Sequence, residues 1–333
     1  MISDNDKRMP VWLRRPTLLF ANGMYLLTAA WIFTLGVVVG ILYNAGIDVP
    51  NWFLMGLSPL AMALPPVLYA TKRPGVSLSM RLNPPSLHAM LWALLSAVAA
   101  AFAMPYLNIF WVLLIEAMGG TPVSSGIPTP TDGGQLLTLV FLVGVLPGVC
   151  EELLFRGAIL GAWERRGAKY ALAVSSILFC MMHGQVGGIP TQLILGFALG
   201  YIVISSNSLY VGMVFHTMFN ASALVMIYLA QFVEAPPGEI AEAAQSMYDS
   251  LGGAAGVMQA AFATLLFGAI FAATLLPFRR ERVRDRRPFE TIDAPDRAKM
   301  GWRELAVLLI ALLTVGVFYY LNAAEIFGWP PFR

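Results

Sequence analysis

Long apolar runs constrain this chain more than any other feature of its sequence. A helix needs about 20 apolar residues to cross the hydrocarbon core of a bilayer, and most of the runs reach that length. Nine runs occur, of which the fifth and sixth are the shortest: 17–43, 52–71, 88–117, 135–163, 169–183, 190–206, 208–232, 255–277 and 303–326. Hydrophobic residues make up 58% of the chain and charged residues 12%. The sequence therefore predicts an all-α, polytopic transmembrane bundle of eight to nine spans.

Lysine and arginine residues occur in alternate connections between these runs, which predicts the orientation of the chain. The basic connections are the N-terminal arm, 72–87, 164–169 and 278–302, whereas 44–51, 118–134, 184–189 and 233–254 contain no lysine or arginine. By the positive-inside rule the basic connections face the cytoplasm, so the N-terminus is cytoplasmic and the C-terminus external. The uncharged turn at 205–208 falls on the cytoplasmic side by parity. We expect a multi-pass protein of the cell (inner) membrane.

The apolar runs divide the chain into three parts. Residues 1–134 hold the first three spans, 135–232 hold spans four to seven, and 233–333 hold an external loop and the last two spans. The basic segment within 278–302 lies between two spans, so it is interpreted as a topology determinant touching anionic headgroups. Nucleic acid is not expected as a partner; the expected partners are the lipid bilayer and a membrane-associated substrate.

The most costly polar residues lie in the segment LPGVCEELLFRG at 146–157, inside the fourth run. An acidic residue at the centre of a membrane helix costs about 2.5 to 3.5 kcal/mol. Glu152 and Arg156 are four residues apart and are expected to form an ion pair on one helix face. Glu151 points about 100° away and is left without a partner in its own helix. An unpaired carboxylate inside the membrane marks a candidate functional site.

Other polar residues are expected at the depth of Glu151. His183 ends the fifth run, and His216 and Asn220 share one helix face in the seventh. With a rise of 1.5 Å per residue, Glu151, His183 and Asn220 lie roughly 18 to 21 Å from the cytoplasmic ends of their helices, and His216 roughly 12 Å. Four polar groups from three spans are therefore expected to converge on one layer of the bilayer.

The backbone near this layer has two further features. Pro147 cannot donate a hydrogen bond to the Val143 carbonyl, which predicts a kink one turn before Glu151 and a free acceptor that water or a neighbour must satisfy. Gly196 and Gly200 form a small-xxx-small pair that allows close helix contact.

These side chains suggest hydrolysis of an amide bond within the membrane. A carboxylate beside an imidazole in a partly dry cavity can act as a general base on water. A second imidazole with an amide on the same face supplies donors where an oxyanion would develop.

Three motifs in order resemble those of a known family. EELLFRG matches EExxxR, Phe179 to His183 matches FxxxH, and His216 to Asn220 matches HxxxN. Over about residues 135–225 the sequence is similar to the CPBP family, the CAAX-protease and bacteriocin-processing membrane proteins also called the ABI family. The resemblance implies an intramembrane glutamate protease in which Glu151 with His183 activates water, while His216 and Asn220 hold the oxyanion.

The same resemblance implies that Glu152 with Arg156 orients the site. The substrate would be a membrane-associated or lipidated protein or peptide, for which prenylated CAAX proteins are the eukaryotic precedent. A carboxylate and two imidazoles could bind Zn²⁺, but the sequence has no HExxH, so no metal cofactor is expected.

Three alternatives stay open at this stage. Cys180 lies three residues before His183, so a thiolate–imidazole pair could supply the nucleophile. Intramembrane Glu and His residues also form proton relays, which would suit a proton-coupled transporter. The chain could also be a non-catalytic regulatory or immunity protein that keeps this fold.

Overall fold

A computed structural model describes residues 16–72, 80–121, 128–232, 246–280 and 300–329. These residues form helices and connecting turns, and the described ranges contain no β-strand. The nine main helices are α1 (Leu18–Asn44), α2 (Asn51–Lys72), α3 (Leu87–Ala117), α4 (Gly133–Arg166), α5 (Ala168–Met182), α6 (Ile189–Ser206), α7 (Leu209–Ala230), α8 (Ala254–Leu275) and α9 (Trp302–Phe327). A one-turn helix, Met247–Ser250, precedes α8.

The helix lengths confirm an all-helical multi-pass membrane protein. Within the described ranges, eight helices are long and apolar enough to cross a membrane, and α5, with 15 residues, is a shorter apolar helix. Helix α4 is central, since it contacts α1, α2, α5, α6 and α7. The first and last helices, α1 and α9, pack along each other, and α8 packs on α3.

Three of the connections assigned to the cytoplasmic side meet at one end of the bundle. Arg81 forms an ion pair with Glu164 at the end of α4, and both side chains are buried. The Asn83 side chain donates to the Asn207 carbonyl at 2.8 Å, and the Ser208 hydroxyl donates to the Asn83 carbonyl at 2.7 Å. The structure thus groups the connections around 81, 164 and 207 as the charge pattern predicts.

The opposite end gathers the connections that lack basic residues. Three hydrogen bonds link them: Thr121 N–H to the Ile326 carbonyl (2.8 Å), Val186 N–H to Asn322 Oδ1 (2.8 Å) and Gln231 Nε2 to the Pro130 carbonyl (3.1 Å). The chain therefore passes from one end to the other along α5 despite its shortness, and α9 finishes at this second end. The basic N-terminal arm, most of loop 233–254 and most of segment 278–302 lie outside the described residues.

Helix α4 is not a regular α-helix. Two π-helical stretches, Val140–Val145 and Leu153–Ile159, flank the α-helical segment Leu146–Glu152 that carries the paired glutamates. Each π turn changes the direction in which the following side chains point, and such turns are frequent at functional sites. Pro147 lies in the first turn of the middle segment, where its missing N–H is least costly.

Glycines allow α4 and α5 to approach their neighbours closely. A Cβ at Gly148 would lie 2.3 Å from Oγ1 of Thr217 and 2.9 Å from its backbone nitrogen, so α4 and α7 touch backbone to backbone here. A Cβ at Gly196 would lie 3.0 Å from the Cα of Ser176, and one at Gly200 would lie 2.5 Å from a methyl group of Leu172. The close contact predicted for Gly196 and Gly200 is confirmed, and its partner is α5.

We expect Gly148→Ala to lower the thermal unfolding temperature in detergent, because the added methyl group must push α7 away. Overpacking of this kind costs about 1 to 3 kcal/mol. Gly268→Ala in α8 is the matched control, since a Cβ there meets nothing within 4 Å. Alanine favours a helix over glycine by about 1 kcal/mol, so the control should unfold at the same temperature or higher. Equal unfolding temperatures for both variants would contradict the close contact.

Candidate active site

The site contains a buried ion pair between Glu152 and Arg156, and His216 also contacts Glu152. Arg156 Nη1 donates to Glu152 Oε1 at 2.7 Å, which confirms the pair predicted from their spacing, and both side chains are fully buried. Nδ1 of His216 lies 3.1 Å from the same carboxylate oxygen. Arg156 Nη2 donates to the Gly196 carbonyl at 3.1 Å. Glu152 and Arg156 thereby connect α4 to α6 and α7.

One phenyl ring lies between the cation and both imidazoles. The Arg156 guanidinium carbon lies 4.3 Å from the centroid of the Phe179 ring, within the range of a cation–π interaction. The His183 and His216 rings contact the same phenyl edge-to-face, with centroid distances of 4.8 and 5.8 Å. Phe179 therefore holds together groups from α4, α5 and α7. The sequence marked it only as the first residue of FxxxH.

His183 caps the C-terminal end of α5 and its side chain is exposed. Its Nδ1 lies 2.9 Å from the Phe179 carbonyl. A carbonyl can only accept, so Nδ1 carries the hydrogen and Nε2 of the neutral ring keeps its lone pair. This arrangement suits a ring that takes a proton through Nε2.

Glu151 is a buried carboxylate of α4 with an unpaired oxygen, a feature that it shares with Glu152. Its side chain is buried, and its Oε2 has no hydrogen-bond partner among the described residues. Nδ1 of His183 is bonded by Phe179 rather than by Glu151, so the cooperation of Glu151 and His183 stays a prediction. A buried acceptor without a donor costs about 1 to 3 kcal/mol, so water or a substrate N–H is the natural partner here.

Asn220 binds the carbonyl that Pro147 leaves free. Its Nδ2 donates to the Val143 carbonyl at 2.9 Å. Pro147 predicted that water or a neighbouring group must bind this carbonyl, and the group is a side chain of α7. An amide nitrogen has two hydrogens, and this contact uses one. His216 and Asn220 share a face of α7 as predicted, and the two residues tie α7 to α4 at different points. Their role at an oxyanion stays a prediction.

The contacts of Cys180 give no support to a thiol nucleophile. Its Sγ lies 3.6 Å from the Ile189 carbonyl and 3.9 Å from Gln192 Oε1, both in α6. Nδ1 of His183 is bonded to the Phe179 carbonyl. The thiol therefore contacts α6 and Tyr319 of α9 rather than the imidazole.

The donor groups are not arranged as a metal centre. In the ranges that the structure covers, no group of three or more His, Cys, Asp or Glu side chains is placed to hold a metal ion. These residues do not fit a zinc site, and no reaction step is derived through one.

The part of the chain that carries the three motifs is similar to known proteins. Residues 133–222, which contain the three motifs, match the family model described as type II CAAX prenyl endopeptidase Rce1-like. The UPF0177 protein YxdF of Lactococcus lactis subsp. lactis (strain IL1403) is 26% identical over 138 residues, which is 40% of this chain and 77% of the relative. No solved structure matches significantly.

We expect Glu152→Ala to destabilise the protein by about 3 to 5 kcal/mol, because it leaves the guanidinium of Arg156 buried without its carboxylate. The double variant Glu152→Ala/Arg156→Met removes the unpaired charge and should be more stable than Glu152→Ala alone. Unfolding in detergent, followed by tryptophan fluorescence, measures both. A Glu152→Ala protein that unfolds at the wild-type temperature would contradict the energetic importance of the pair.

Proposed function

We propose, from the premise that residues 133–222 form a domain of the Rce1-like type II CAAX prenyl endopeptidase family, that this chain is an intramembrane endopeptidase. It hydrolyses a peptide bond of a membrane-associated or lipidated protein or peptide by means of an activated water. The observation that carries the proposal is the cluster in which the Phe179 ring contacts His183, His216 and Arg156, while Glu152 binds both Arg156 and His216. Glu151, next to Glu152 in the sequence, adds a buried carboxylate with an oxygen that has no hydrogen-bond partner among the described residues.

In the first step, the Glu151 carboxylate or Nε2 of His183 takes a proton from water. The water oxygen adds to the carbonyl carbon of the scissile bond, and the carbonyl electron pair moves to oxygen. A positioned base of this kind contributes about 10²- to 10⁴-fold to the rate. The contact of His183 Nδ1 with the Phe179 carbonyl supports this role, since it keeps the basic lone pair on Nε2.

The tetrahedral oxyanion then needs hydrogen-bond donors. Asn220 has one amide hydrogen left after its contact with Val143. His216 donates through Nδ1 to Glu152, which fixes the orientation of its ring, and a hydrogen on Nε2 would let the ring donate to the oxyanion as well. Collapse of the intermediate breaks the C–N bond, and the amine leaves with the proton held by the base.

Glu152 and Arg156 act behind these groups. The guanidinium balances the carboxylate, so that Glu152 can hold His216 without becoming a second base. The contact of Arg156 with Phe179 extends this support to the ring that touches His183. In this proposal, Glu151 of the EExxxR motif takes part in the proton transfer, and Glu152 orients His216.

We expect Glu151→Gln and His183→Gln to abolish proteolysis while the protein still inserts and folds. The test compares the termini of membrane proteins in cells that produce the wild-type chain, either variant, or no chain. Termini that depend on the wild-type chain should disappear in both variants. With a substrate so identified, purified Glu151→Gln should cleave about 10²- to 10⁴-fold more slowly.

Cys180→Ala is the matched control, since its thiol contacts α6. It should keep every wild-type terminus, and loss of cleavage in Cys180→Ala with activity kept in Glu151→Gln would overturn the assignment. Identical termini in wild-type and null cells would favour a non-catalytic regulator. Proton-coupled solute flux in proteoliposomes without proteolysis would favour a transporter.

A further inference from the structure

One face of α9 contacts the segment that ends α5 and carries His183. This face is formed by Phe318, Tyr319 and Asn322, at spacings of one to four residues. Helix α9 lies far outside residues 133–222, so it is not part of the region that matches the family model.

Three contacts join the two segments. The Tyr319 hydroxyl donates to the Cys180 carbonyl at 3.0 Å, and Asn322 Oδ1 accepts from Val186 N–H at 2.8 Å. Between them, Gly184 has a positive φ of 63° and lies so close to α9 that a Cβ would be 2.8 Å from the Cβ of Phe318. Helix α9 therefore contacts the chain before His183, at Cys180, and after it, at Gly184 and Val186.

These contacts reach the His183 ring through the backbone. The last turn of α5 is tightened, because His183 N–H donates to the Cys180 carbonyl and Gly184 N–H to the Met181 carbonyl, each at 3.2 Å. The Phe179 carbonyl, which a regular helix would give to the His183 backbone, is then available to Nδ1 of the ring. The Cys180 carbonyl accepts two hydrogen bonds: one from His183 N–H, which tightens the turn, and one from the Tyr319 hydroxyl.

We propose that Tyr319 and Asn322 are positioning residues for His183. They hold the tightened end of α5, which keeps Nδ1–H on the Phe179 carbonyl and leaves Nε2 as the free, basic nitrogen. The importance of this for catalysis rests on the proposed function. The control of the tautomer does not, because it concerns the ring and its hydrogen bond alone.

The test is ¹⁵N NMR of the full-length chain in detergent, labelled at histidine. The chain has three histidines, so His88→Gln and His216→Gln assign the signals of His183. At alkaline pH, where imidazoles are neutral, ¹⁵N shifts report which ring nitrogen carries the hydrogen. The variants are Tyr319→Phe, Asn322→Ala and Asn322→Asp. The control is Thr314→Val, whose hydroxyl donates to the Ile310 carbonyl of its own helix and has no other partner within the described ranges.

We expect His183 of the wild type and of Thr314→Val to be protonated at Nδ1. Tyr319→Phe and Asn322→Ala should show a mixture of tautomers, because the end of α5 is released. Asn322→Asp should restore the wild-type signal, since a carboxylate oxygen still accepts from Val186 N–H. Where cleavage is measurable, kcat should fall in the first two variants with KM unchanged, by less than the roughly 10²- to 10⁴-fold that a positioned base contributes, and recover in Asn322→Asp.

Wild-type His183 signals in folded Tyr319→Phe and Asn322→Ala would overturn the proposal. Should Tyr319→Phe fail to fold, the pair Asn322→Ala and Asn322→Asp decides: equal His183 signals in the two would overturn it, and restoration by aspartate would support it. A tautomer shift in a chain whose wild type cleaves nothing would support the positioning role and count against the protease function alone.

Discussion

A guanidinium with no access to solvent governs how the central helices pack. Arg156 satisfies its charge with Glu152 of its own helix, the Gly196 carbonyl of α6 and the face of Phe179 in α5. Glu152 passes the interaction on to His216 of α7. The ion pair itself lies within α4, so a shift of α5, α6 or α7 would leave it intact. Such a shift would remove the Phe179 ring, the Gly196 carbonyl or the His216 ring from the buried charges, and each lost contact is costly where no water can replace it. The conformation of the candidate site is therefore coupled to the stability of the bundle.

Much of this arrangement could be predicted from the sequence because it depends on local spacing. The apolar runs predict the helices, the i,i+4 relation predicts the Glu152–Arg156 pair, and Pro147 predicts a free carbonyl at Val143. The donor for that carbonyl, Asn220, depends on how α7 is rotated against α4. Spacing within one helix carries no such information. The π turns on both sides of the glutamates also changed the directions in which the following side chains point.

The polar contacts of α5 come from helices that lie on both sides of the three motifs in the sequence. Tyr25 of α1 donates to the Leu178 carbonyl at 3.1 Å, and Tyr319 of α9 donates to the Cys180 carbonyl. Between these two carbonyls lies that of Phe179, which the His183 ring uses. The paired outer helices α1 and α9 therefore act as a frame for the end of α5. The sequences of α1 and α9 do not predict this, because the contacts depend on how these helices are rotated against α5.

The shortness of α5 has a consequence for the surrounding lipid. Fifteen helical residues span about 22 Å, against about 30 Å for the hydrocarbon core of a typical bilayer. The mismatch must be relieved by a locally thinner membrane or by polar solvent following the chain inward at Gly184. Either response would place water near the exposed imidazole of His183. A helix that stops short of the membrane surface thus offers water a route to the candidate site.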